Sequence, residues 1–218
     1  MVKTVINSRQ ATLMATVSVM LVMMLMLTGC GGTAARLTTE ETELVMSSGG
    51  LMRVLLVTSR EDSLLLRKHC TDLTAEDLQS EVYDRLARRM VTTVTDSTQD
   101  GVGLAAPQVG LNRRVVAVMR YDKPGYPFEV YPNIHIEYFS DETQTGPEGC
   151  LSIPDIAGDV ERSQQVVIRY TDPETLSELR DTVDGYTAVI FQHEVDHLEG
   201  ILFTDRMTAP AGSPDSER

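Results

Sequence analysis

The sequence predicts an α+β fold for its folded part, on three observations. A helix-type apolar stripe comes early, several strand-type runs follow, and a second helix closes the chain; that order does not suit an alternating βαβ array. The strand-type runs are short, rich in β-branched residues and separated by turn sequences. Hydrophobic residues make up 42% and charged residues 23% of the 218, proportions that build an ordinary globular core.

The N-terminal segment has a different character. Lys3 and Arg9 precede the uncharged run "ATLMATVSVMLVMMLM", which leads into "LTGC", Leu27 to Cys30. A basic start, an apolar stretch and a small-residue site make a secretory signal. The LTGC ending is similar to a bacterial lipobox, in which Cys30 carries lipid and becomes the mature N-terminus. Two other readings are a membrane-spanning anchor, since the run is nearly long enough, and a start assigned too early. Residues 1–29 are therefore expected to be a lipoprotein-type signal that anchors the protein in the bacterial envelope through Cys30; the alternative location is cytoplasmic. Residues 30–51, bracketed by glycine pairs, read as a flexible tether with a short helix in the middle. The folded domain is expected over residues 52–207. The Pro/Ser/Gly-rich residues 208–218 read as a disordered tail.

Within the domain, "LMRVLLVTS" reads as a first strand or extended segment, followed by "DSLLLRKH". "TAED" at Thr74 is a capping-box sequence, and Leu78, Val82, Leu86 and Met90 recur every four residues, predicting one helix from Thr74 to about Val94. "RRVVAVMRY", "EVYPNIHIEYF", "QQVVIRYTD" and "SELRDTV" read as strands, with "DPET" as the turn between the last two. Asp184 and Gly185 precede the closing helix.

The formal net charge of −13 excludes a role driven by contacts to nucleic-acid phosphates. With Cys30 lipidated, only Cys70 and Cys150 remain, too few for a disulfide framework.

The chemistry lies in the closing helix, where "FQHEVDHLEG" contains H-E-x-x-H. Histidines at i and i+4 share one helix face, so His193 and His197 suit one metal ion. Glu194, one position round, stands beside that ion to take a proton from water rather than to ligate. Tyr186, Val189 and Ile190, one or two turns earlier on the same side, give the site an apolar floor. Two ligands are too few. Phe203 stands where one familiar pattern has a third histidine, and after the motif only a tail with Glu217 remains. His69 and His135 read as surface or packing residues. Cys150, in "PEGCLSIP", is the strongest remaining candidate, because a thiolate with two imidazoles leaves an open position for water. "GVGLAAPQVG", Gly101 to Gly110, is dense in glycine and small residues that admit close backbone approach. Its Gln108 either caps the loop or donates N–H to an oxyanion.

Together "GVGLAAPQ", "EGCLS" and "QHEVDH" resemble, in that order, the three motifs of the peptide deformylase family. The resemblance covers about residues 52–207. It implies mixed or antiparallel sheets around a central helix bearing the histidines, and removal of the formyl group from formyl-methionyl peptides or nascent chains by a monomer. It implies a divalent metal on Cys150, His193 and His197: Fe(II), with zinc, nickel or cobalt as substitutes. Glu194 would be the general base and acid, and Gln108 with the Leu151 N–H would hold the oxyanion. Gly103 would pair with the peptide backbone, and Val102, Gly146, Tyr186, Val189 and Ile190 would surround the methionine side chain. An exported protein that binds formylated peptides with little turnover is the alternative. "VER" at Val160 to Arg162 departs from the family's common VPR, and residues 122–146 match it only loosely.

Overall fold

The computed structural model describes residues 34–99 and 101–207; the expected signal and the expected tail lie outside them. The α+β expectation holds. Helix α1 (Thr39–Met46) starts at a reciprocal cap: Thr38 Oγ1 accepts from Glu41 N, and the Glu41 carboxylate accepts from Thr38 N. It is the short helix expected in the middle of residues 30–51, and it packs against the domain. Val45 is fully buried, and two arginines far along the chain hold the segment. Arg113 donates to Glu41 and to the carbonyls of Ala35 and Arg36, while Arg89 donates to those of Leu44, Val45 and Leu51. Arg89 thereby satisfies carbonyls that the end of α1 leaves without intrahelical partners.

Among the described residues, 52–58 join no sheet and end in a turn at 57–58. Their backbone ties three elements together, through Met52 N to Thr93 Oγ1 (2.9 Å), Leu55 N to Gln108 O (2.7 Å) and Val57 N to Ser152 O (2.9 Å). Helix α2 (Arg60–Leu66) follows, capped by Ser59. The single helix expected from Thr74 to Val94 is two: a one-turn α3 (Ala75–Leu78) and α4 (Glu81–Val94). Ser80 makes the break, its hydroxyl donating to Asp77 O and accepting from Tyr83 N, so it ends one helix and caps the next. The stripe survives the break, with Leu78, Leu86 and Met90 buried and Val82 half-buried.

Strands β1 (Gly103–Ala105), β2 (Val115–Met119) and β3 (Phe128–Pro132) form one antiparallel sheet in that order. Strands β4 (His135–Phe139), β7 (Gln165–Thr171) and β8 (Glu178–Asp184) form a second, and β5 (Thr143–Cys150) with β6 (Ile153–Ser163) a two-stranded hairpin. The run expected as one strand over 129–139 divides at Asn133, whose φ of 53° turns the chain from one sheet into the other. Its side chain stays in the core by bonding Leu73 N and Leu73 O. The "DPET" turn forms as expected, with Asp172 Oδ1 accepting from Glu174 N and Thr175 N.

Helix α5 (Gly185–Leu198) packs against elements of all three sheets. Ala188, Phe191 and Leu198 meet Val116, Val118, Val166, Ile168 and Val183 in one buried cluster. The helix stops in a Schellman motif, with Ile201 N bonded to Asp196 O and Gly200 N to His197 O. Gly200 has φ 71°, and a Cβ there would lie 2.5 Å from Arg67 O, so the stop requires glycine.

Candidate active site

The spacing of His193 and His197 puts their rings on one face of α5, with centroids 5.1 Å apart. Cys150 arrives from the end of β5, beside an irregularity in register between Gly149 and Cys150. Its Sγ lies 3.2 Å from His197 Nε2, and one donor atom from each of the three residues lies within 4.8 Å of the others. Cys70 and Cys150 are both free thiols; burial pushes that of Cys70 up to about 12. His69 instead meets Glu199 at the surface, and His135 meets Asp72.

A chain of charges runs inward to this cluster. Arg206 bonds Asp196 (2.6 Å), Asp196 bonds Arg162 (2.5 Å), and Arg162 bonds Glu148 (2.8 and 3.0 Å). Glu148 then bonds His193 Nδ1 at 2.8 Å. A carboxylate on Nδ1 fixes the ring and leaves Nε2 to ligate. Burial alone would raise Glu148, but His193 and Arg162 outweigh it and hold the carboxyl at about 2. Glu148 and Asp196 were not among the residues expected at the site. Their signal was present, as charged residues inside the EGCLS and QHEVDH motifs.

The donor set fits a divalent cation. Burial, and next His193, hold His197 well below its ordinary value, so its imidazole is neutral and offers a lone pair. Burial opposes charge on His193 too, yet its bonds to Cys150 and Glu148 raise it to about 10. The anions here draw positive charge to the centre of the cluster, where a metal ion would supply it.

Glu194 sits against Gly103. A Cβ on Gly103 would lie 2.3 Å from Glu194 Oε1, so the glycine of β1 makes room for this carboxyl. Among the described residues, Glu194 Oε2 is buried with no hydrogen-bond partner, and His197 Nδ1 shares that state. Burial raises Glu194 to about 7, with His193 opposing and Glu148 adding to the rise. Gln108, 1% exposed, caps its loop, the first of its two sequence readings. Its Oε1 caps the loop by accepting from Ala105 N at 2.8 Å, and its Nε2 is aimed at Cys150 Sγ (3.4 Å) and Ser152 Oγ (3.3 Å).

These groups open into a cavity of about 420 Å³. Val102, Tyr186, Val189 and Ile190 line it, and so do Gly103 and Leu151. Gly146 does not; it sits in β5 opposite Val160, one residue before the lining begins at Pro147. On the cavity side β1 is an edge strand, paired only with β2.

The polypeptide deformylase family matches residues 54–212. A peptide deformylase of Leptospira biflexa is 35% identical over 150 residues, which cover 66% of this chain and 82% of that protein. One from Thermotoga neapolitana is 40% identical over 143 residues, covering 66% and 81%. Among solved structures, the class I type b peptide deformylase of Acinetobacter baumannii with Met-Ala-Ser bound superposes with a TM-score of 0.64 at 37% identity, covering 72% of this chain and 98% of that one. Peptide deformylase from Thermotoga maritima gives 0.63 at 32% identity, covering 73% and 99%. With the thiol, the two imidazoles and the carboxyl assembled from two of the three motifs and Gln108 beside them from the third, this agreement places the chain in the polypeptide deformylase family.

Proposed function

We propose that this chain removes the N-terminal formyl group from formyl-methionyl peptides, with Glu194 moving the proton. The observation that carries the reading is the buried, unpartnered Glu194 Oε2 beside three metal-ligating atoms. A divalent ion held by Cys150, His193 and His197 would supply a Lewis acid that makes water nucleophilic near neutral pH. Glu194 takes the proton of the attacking water and delivers it to the peptide nitrogen as the C–N bond breaks, leaving formate and a free amine. Gln108 Nε2–H and the Leu151 N–H receive the negative charge that develops on the formyl oxygen. The peptide backbone adds to the open edge of β1 at Gly103, and the methionine side chain enters beside Val102, Val189 and Ile190. We propose Fe(II) as the ion, as the family resemblance implies, with zinc, nickel or cobalt as substitutes that a thiolate–imidazole set also accepts. We also propose attachment to the bacterial envelope through lipidated Cys30; mass spectrometry of the mature N-terminus would find a lipidated Cys30, and an unprocessed Met1 would overturn it.

Formate release from formyl-Met-Ala-Ser by protein loaded with Fe(II) or Ni(II) tests the activity. Release is expected, and none with either metal bound would overturn the reading.

A further inference from the structure

Attachment through Cys30 would leave the domain little slack. Ala35 is already fixed, its N–H donating to Asp72 O (3.1 Å) and its carbonyl accepting from Arg113 (2.7 Å). Four residues, 31 to 34, separate it from Cys30. The chain from Cys30 to Ala35 reaches at most about 17 Å, whereas a domain of this size is about 40 Å across. A lipid on Cys30 would therefore hold the side of the domain that carries α1 toward the bilayer.

That side carries an apolar patch. From Leu44 to Met52 the chain reads "LVMSSGGLM", without a charge. Leu44 and Met46 are 39% exposed and Leu51 is 51% exposed, while Val45 between the first two is fully buried. The segment is held in shape rather than loose. Arg89 of α4 donates to the carbonyls of Leu44 (3.0 Å), Val45 (2.8 Å) and Leu51 (3.0 Å), which folds residues 44–51 around one guanidinium. Ser47 adds its hydroxyl, donating to Leu44 O (2.8 Å) and meeting Arg89 at 3.1 Å. Leu44 and Leu51 are thereby neighbours in space, with Met46 between them in the chain.

The chain carries a net charge of −13, yet the border of this patch is basic. Arg85 donates to Val45 O (3.0 Å) and Ser47 O (2.9 Å). A Cβ on Gly50 would lie 3.8 Å from Thr92 Cγ2, so the side of α4 bearing Arg85, Arg89 and Thr92 faces the segment. Arg88, exposed, lies one turn after Arg85 on that side. Among the described residues none of these three arginines pairs with a carboxylate. The acidic residues of α1 in solvent, Glu40 and Glu43, precede the patch. Exposed apolar side chains beside arginines whose charge is not neutralised suit the headgroup boundary of an anionic bilayer.

We infer that Leu44, Met46 and Leu51, bordered by Arg85 and Arg88, seat the domain on an anionic lipid surface. The inference rests on the envelope-attachment reading for the short reach to the bilayer.

The test uses the chain from Gly31 to Arg218, which keeps every described residue and has no lipid, with phosphatidylglycerol and phosphatidylcholine vesicles. Co-sedimentation should show binding to phosphatidylglycerol that weakens on adding salt, and far less binding to phosphatidylcholine. Leu44→Ser, Met46→Ser and Leu51→Ser together should weaken it at least about tenfold, and Arg88→Gln about fivefold. Leu179→Ser, at a leucine of β8 that is 38% exposed, should leave it unchanged. Urea midpoints should match wild type throughout, since every replaced side chain is exposed. No binding to phosphatidylglycerol, or binding that survives the triple substitution, would overturn the inference. A dimer that forms without vesicles and is lost in the triple variant would assign the patch to a second copy and overturn it too. Vesicle binding by this chain, with an unprocessed Met1 on the native protein, would keep the lipid surface and reject lipidation of Cys30.

Discussion

Two of the clusters that bury charge in this molecule treat it in opposite ways. Around α1, Arg113 uses all of its donor nitrogens, on Glu41, Thr71 and the carbonyls of Ala35 and Arg36. Arg89 does the same for the other end of the helix. In the metal-ligating cluster Glu194 Oε2 and His197 Nδ1 are buried and bond nothing. A buried polar atom without a partner destabilises the fold by about 1–3 kcal/mol, so folds that use polar groups for support close them completely. Glu194 lines the cavity, so a ligand bound there would be placed to satisfy its oxygen.

The sharpest break of this contrast is Glu194. In Glu194→Gln metal content should stay while kcat falls by roughly 10²–10⁴-fold, the loss of a positioned acid–base group. Its urea midpoint should hold or rise, since a carboxyl lacking a partner has been neutralised. A midpoint that falls as far as an α1 clamp variant's would make Glu194 a structural group. Cys150→Ala should instead lose the metal, and equal metal in both variants by elemental analysis would overturn the ligand assignment.

Arg113→Ala attacks the closed cluster. It should cost about 3–5 kcal/mol by leaving Glu41 and two carbonyls without their donor, with kcat unchanged per folded molecule. Urea titration and active-fraction assays read the two quantities separately. A kcat that drops along with stability would tie the extension to catalysis and erase the distinction.

Gly103→Ala falls between the two clusters. The added Cβ meets Glu194 Oε1 inside van der Waals distance, so the carboxyl must move. A displacement of about 1 Å should lower kcat by roughly 10²-fold. Full activity in this variant would show that Glu194 has room the structure does not display.

The same contrast explains what the sequence disclosed. Three short motifs named Cys150, His193, His197, Glu194 and Gln108, because each motif is local and its residue types are chemically demanding. The α1 clamp was illegible: "TEETELVM" looks solvated, and its partners lie about 40 to 80 positions downstream. The β5–β6 hairpin also escaped, since most of "TQTGPEGC" is exposed or half-buried and lacks the alternating apolar signature of a strand. Ser80 divided a regular stripe by capping in both directions, which periodicity does not register. Local chemistry was readable; long-range polar satisfaction was not.

The smallest effect tests whether the α1 clamp acts through charge. Burial raises the Glu41 carboxyl, but hydrogen bonds from Arg113 and Thr38 outweigh it and leave the group below its ordinary value. A carboxyl lowered on folding adds stability that is complete above its unfolded pKa of about 4.3 and is lost as pH falls through the folded value. Glu41→Gln keeps the shape and removes the charge. The urea-midpoint difference between wild type and this variant should therefore be constant above about pH 5 and close progressively below about pH 4. Acid destabilises the rest of the protein as well, since other carboxyls such as Glu148 are also lowered, but that contribution is common to both chains and cancels. A difference of about 1 kcal/mol at neutral pH is in proportion for one charge-assisted, half-buried contact. A difference that persists undiminished at pH 3 would locate the clamp's strength in packing and cap geometry, leaving the ion pair as only its outward form.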